Sequence, residues 1–73
     1  MRIAIYGAGS LGTVLGAYLT QAGIDVDLIS RNSAHIEALR RNGARIVGYA
    51  EFTVAVKAFL PKQMVGEYDL IFL

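Results

Sequence analysis

Cysteine is absent from this chain, so no disulfide can staple it and no thiolate can hold a metal ion. Histidine occurs once, at His35, in a stretch that reads as the polar face of a helix. The residue most often used for proton transfer and metal ligation is thereby assigned to the surface. Charge of one sign is also scarce. Seven Lys and Arg against six Asp and Glu leave a formal +1, which gives no footing for nucleic acid or an anionic membrane as partner. No apolar run is long enough to span a bilayer. The stretch after Arg2 is interrupted by glycines and diluted by Tyr18, Thr20 and Gln21, unlike a secretory signal. A cytoplasmic protein is the expectation. Glu37, Glu51, Glu67 and Asp69 fall at no spacing that suggests an acid–base pair, so neither a catalytic residue nor a metal-ligand set is read from the sequence.

What the chain does have is apolar substance and glycine. At 55% hydrophobic and 18% charged it has the composition of a folded core. Its 73 residues suffice for one small unit, which at that size buries only about 60% of its unfolded surface. The apolar run Arg2-Ile3-Ala4-Ile5-Tyr6 leads directly into Gly7-Ala8-Gly9-Ser10-Leu11-Gly12. A strand, a glycine turn and a helix start in that order are the context a dinucleotide-binding G-x-G-x-x-G requires. Gly7 permits the tight turn, Gly9 lets the backbone approach a pyrophosphate, and Gly12 lets the helix lie close to the sheet. The N–H groups from Ser10 to Thr13 would then face the anion from the positive end of the helix.

From Ser10 to Ala22 the spacing is helical, with Leu11, Val14, Leu15, Tyr18, Leu19 and Ala22 as an apolar stripe. Gly12 and Gly16 sit four apart on one helix face, which suits close approach to a strand, and Gly23 supplies a left-handed helix end. Ile24–Ser30 reads as a second strand, on which Asp25 and Asp27 are expected to face solvent. Ser33 is expected to cap a helix through about Asn42, with Ile36 and Leu39 inward and Arg40 and Arg41 at its negative end. After Gly43 the period becomes two. Arg45–Val47 and Phe52–Ala58 read as strands around a turn near Gly48-Tyr49-Ala50, and Leu60–Glu67 as a connecting loop. The fold class that follows is α/β: a Rossmann-type, mostly parallel sheet of order 3-2-1-4 with flanking helices and a hairpin excursion.

The closing run Tyr68-Asp69-Leu70-Ile71-Phe72-Leu73 reads as the opening of a buried parallel strand. Residues 1–73 are therefore expected to be the N-terminal part of a dinucleotide-binding domain, with its remainder and a substrate domain beyond them. With its outer edge bare, that strand is expected to make the polypeptide self-associate.

A fingerprint for NAD places an acid at the end of the second strand, to accept from the ribose hydroxyls. Here that end reads Ile29-Ser30-Arg31-Asn32. A carboxylate would repel a 2′-phosphate, whereas Arg31 can grip one with paired donors and Ser30 or Asn32 can add a neutral hydrogen bond. The cofactor expected is NADP(H).

These segments, from Met1–Gly12 through Ser30-Arg31 and Phe52-Thr53-Val54 to Glu67-Tyr68-Asp69-Leu70-Ile71, together resemble the N-terminal domain of the ketopantoate reductases (2-dehydropantoate 2-reductases). The resemblance implies NADPH-dependent reduction of the 2-keto acid 2-dehydropantoate to pantoate, a step towards coenzyme A. It also implies that Gly7–Gly12 hold the pyrophosphate and Arg31 the 2′-phosphate. The family's catalytic lysine and a helical substrate domain would follow the strand that begins at Tyr68. Two other readings fit the same residues. One is the cofactor domain of another 2-hydroxy-acid or sugar-acid dehydrogenase; the other is a non-catalytic module that senses dinucleotides.

Overall fold

In chain order the elements are β1 (Arg2–Tyr6), α1 (Ser10–Gln21), β2 (Asp25–Ile29), α2 (Ser33–Asn42), β3 (Ala44–Ile46), β4 (Phe52–Val54), β5 (Lys57–Phe59) and β6 (Leu70–Phe72), with a 3-10 turn over Pro61–Gln63. They come from a computed structural model that describes residues 1–7, 10–48 and 51–72, the side chain at position 10 excepted. Alternation is lost in the middle of the sheet because both faces there are covered. Ile3, Ala4 and Ile5 are all buried on β1, and Val26, Asp27, Leu28 and Ile29 all on β2.

The sheet has the order β5-β2-β1-β6 and every pairing in it is parallel, in agreement with the expected 3-2-1-4 arrangement. The hairpin β3–β4 forms a separate antiparallel pair, Ala44 opposite Val54 and Ile46 opposite Phe52. Its turn at residues 49–50 lies outside the described residues. The run Phe52–Ala58, read as one strand, is two. The chain leaves the hairpin at Ala55-Val56 and enters the main sheet as β5 beside β2.

Of the apolar stripe on helix α1, Leu19 packs against the core, but most of the large residues point away from the sheet. Leu11 is 84% exposed, and Val14, Leu15 and Tyr18 are exposed with it, whereas Gly16 and Ala17 are buried. Small residues let the helix axis come close to the strands. A methyl group added at Gly16 would overlap Leu28 Cδ2, so the glycine makes room for that side chain. Tyr18 still finds a partner, the Phe52 ring, edge-on at 5.2 Å. Gly23 ends the helix at φ +84°, with the Ile24 N–H donating to Leu19 O at 3.0 Å.

Helix α2 is capped one residue earlier than expected. The Asn32 side chain accepts from the His35 N–H at 3.1 Å, and Ser33 is the first helical residue. Both residues meet the composition of a cap, and only the backbone of Asn32 is extended there. Ile36 and Leu39 face inward as read. Arg40, at the helix end, donates from Nε to Ala58 O at 2.7 Å and from Nη2 to Gln63 Oε1 at 2.6 Å, so it fastens α2 to β5 and the 3-10 turn. Among the described residues no helix is long and apolar enough to cross a membrane.

Candidate cofactor site

In an open parallel sheet, ligands bind where the strand order reverses, outside the carboxyl ends of the strands. Here the chain goes from β1 to β2 on one side, and β6 lies on the other, so the reversal is at the end of β1. Gly7 leaves β1 there at φ +82°, a conformation that side chains rarely adopt, and its N–H donates to Ile29 O at 2.9 Å. That bond ties the glycine turn to the end of β2. Helix α1 then starts at Ser10, directly beyond the turn. Ala8 and Gly9, read as pyrophosphate-facing, lie outside the described residues, as does the Ser10 side chain. Leu11 and Gly12 occupy the first turn of α1, the first exposed and the second half-buried.

The next step along the strand ends is Ser30. Its N–H donates to Phe59 O at 3.2 Å, and its Oγ accepts from the Asn32 N–H at 3.1 Å. The first bond joins the exit of β2 to the exit of β5, and the second bends the chain into α2. Arg31, at the apex of this bend, is exposed. With Ser33, Leu60, Pro61 and Lys62 it lines an open pocket of about 410 Å³.

The charge at this end of the sheet is one-sided. None of the five residues lining the pocket is acidic. The carboxylates of β2 are at its other end and in its middle, and they are committed. Asp27 is 1% exposed, contrary to the expectation that it faces solvent. It accepts from the Tyr68 hydroxyl at 2.6 Å and from Arg2 Nη2 at 3.2 Å, and its other oxygen is 3.3 Å from Lys57 Nζ. Those partners come from three distant segments, so local alternation could not reveal them.

Burial pushes the Tyr68 phenol up to about 12, with the hydrogen bond to Asp27 acting in the same direction. Lys57 also hydrogen-bonds Asp25, which raises the ammonium and lowers the carboxyl. This cluster sits at the amino ends of the strands, away from the pocket, and its chemistry is structural.

The residues around the pocket suit a phosphate monoester on a nucleoside. A guanidinium and an ammonium flank it, the Ser33 hydroxyl can donate, and Leu60 and Pro61 give apolar surface for a ring. Sequence reading placed Ser30 and Arg31 correctly at the end of β2 and missed Leu60, Pro61 and Lys62. The available signal was positional, since a loop after the strand that neighbours β2 ends on the same side as Arg31.

Residues 3–73 match the family described as Ketopantoate reductase PanE/ApbA. The whole chain is 37% identical to the 2-dehydropantoate 2-reductase of Mesorhizobium japonicum, of which the match covers 23%. Among solved structures, 97% of the chain superposes on an Enterococcus faecalis protein assigned to the 2-dehydropantoate 2-reductases, with TM-score 0.85, 41% identity and 24% of that chain covered. A D-mandelate dehydrogenase in ternary complex with NADH and anilino(oxo)acetate is similar over the same shares, with TM-score 0.86 and 30% identity. The chain thus spans less than a quarter of the length of the curated relatives it matches.

Proposed function

This chain belongs to the ketopantoate reductase family, and on that footing we propose that it is the NADP(H)-binding part of an oxidoreductase that reduces 2-dehydropantoate to pantoate. Residues 1–73 are assigned to the N-terminal part of the dinucleotide-binding domain, with no catalytic residue among them. The bound nicotinamide supplies the hydride for the keto carbon. This chain's own residues bind and orient. Gly7, Ala8, Gly9, Ser10, Leu11 and Gly12 hold the pyrophosphate through backbone N–H groups at the start of α1. Ser30 and Arg31 take the adenosine 2′-phosphate.

The observation that carries the choice of NADP(H) is Arg31 at the end of β2, in a pocket with no acidic lining residue. A dinucleotide lacking the 2′-phosphate would leave that cation without its counter-charge. A second reading, another 2-hydroxy-acid dehydrogenase, is favoured by the likeness to the D-mandelate enzyme.

Two measurements on the intact protein test the proposal. Calorimetric titration should give tighter binding of NADP⁺ than of NAD⁺, and Arg31→Ala should remove most of that preference. Retention of full preference in the variant would reject the role of Arg31. NADPH oxidation should be faster with 2-dehydropantoate than with other 2-keto acids; the reverse ranking would favour the second reading.

A further inference from the structure

We infer that Lys62 is a second cation for the adenosine 2′-phosphate, closing on it from the 3-10 turn opposite Arg31, so that cofactor choice is set by a clamp drawn from two separate elements. The inference rests on the NADP(H) reading above and adds a residue to it.

The chain has seven Lys and Arg side chains. Arg2 and Lys57 are engaged with Asp27, Arg41 with Glu37 and Arg45 with Glu51. Arg40 is taken up by Ala58 O and Gln63 Oε1. Among the described residues, the two cations left with no protein partner are Arg31 and Lys62, and both line the same pocket. Two like charges held at one opening, without an acid lining it, repel each other until an anion binds between them.

Lys62 is carried by a turn fixed on several sides. Pro61 sets the backbone at its start, and the Leu60 N–H donates to Gln63 Oε1 at 2.9 Å. The same oxygen accepts from Arg40 Nη2, which anchors the turn to α2, the helix that begins just after Arg31. The backbones carrying the two cations are thus coupled through α2 and through the bond between Ser30 and Phe59. An ammonium on a flexible stem contributes charge, while the guanidinium supplies the planar fork.

The test is calorimetric titration of the intact protein, its Lys62→Ala and Lys62→Arg variants and Arg31→Ala with NADP⁺ and NAD⁺. Loss of one partly exposed cation beside a phosphate should weaken NADP⁺ binding about fivefold to tenfold. NAD⁺ affinity should move less than about twofold, and Lys62→Arg should restore most of the NADP⁺ affinity. Added salt should shrink the preference of the unsubstituted protein more than that of Lys62→Ala. Equal weakening of both cofactors, or of neither, in Lys62→Ala would overturn the inference. If Arg31→Ala loses the preference while Lys62→Ala keeps it, only the role of Lys62 fails. An unsubstituted protein that binds both cofactors equally would overturn the NADP(H) reading together with it.

Discussion

Gly16 shows most sharply how a single residue type positions the site. It lets the middle of α1 lie close to β2, because its missing side chain leaves room for the fully buried Leu28. Alanine at this position gains roughly 1 kcal/mol of helix propensity, but the overlap with Leu28 costs about 1–3 kcal/mol of overpacking. Gly16→Ala is therefore expected to be destabilising by about 1 kcal/mol, and Gly16→Val by more than twice that. Urea midpoints measure both. The double variant Gly16→Ala with Leu28→Val should recover part of the loss, since valine lacks both δ-methyl groups that crowd the added carbon. A midpoint that rises in Gly16→Ala alone would mean that Leu28 moves aside freely. The same residue explains why the apolar stripe misleads. Leu11, Val14, Leu15 and Tyr18 have helical spacing, yet contact with the sheet depends on how close the axis comes, which the small residues decide.

Among elements, the amino ends of β1, β2 and β5 and the lead-in to β6 are held by one polar cluster around Asp27. Arg2 is its hub. The guanidinium stacks 4.1 Å above the Tyr68 ring and donates to Val65 O at 2.7 Å, while the Arg2 N–H meets Asp69 Oδ2 at 2.6 Å. The cluster makes stability depend on alkaline pH. Tyr68 is raised from 10.0 to about 12 and Lys57 is raised as well, so the folded chain keeps protons that the unfolded chain releases. Their contribution is complete below about pH 10 and is lost as pH climbs towards 12. Urea midpoints should hold between pH 7 and 9 and fall above pH 10, less steeply in Tyr68→Phe. Equal slopes in the two proteins would remove Tyr68 from the account. At this scale the sequence was legible wherever order is local. Both helices, the glycine ends, the parallel order and the hairpin follow from periodicity and punctuation. Asp27 is buried against its local pattern because its partners Arg2, Lys57 and Tyr68 are far away in the chain. The break at Ala55-Val56 carries no local signal, because Phe52–Ala58 keeps strand-like residues throughout and the two strands part only where β2 offers a second pairing edge.

For the molecule as a whole, β6 is the least protected element. It pairs with β1 along one edge, Ile3 opposite Leu70 and Ile5 opposite Phe72, and has no neighbour on the other among the described residues. Leu70, Ile71 and Phe72 are each between 42% and 50% exposed, although strands of parallel sheets are ordinarily covered on both faces. An apolar strand with free N–H and C=O groups is a template for another chain. The outer face of α1 adds Leu11 and Leu15 to the uncovered apolar surface. The 73-residue polypeptide by itself is thus expected to self-associate, with a scattering mass that rises with concentration. Ile71→Lys places a charge on the open strand and should lower that association, while Leu11→Lys, on the helix, should affect it less. A polypeptide that stays monomeric at high concentration would exclude association through β6. Equal suppression by both substitutions would point to general apolar adhesion, because strand pairing is specific to the edge and helix adhesion is not.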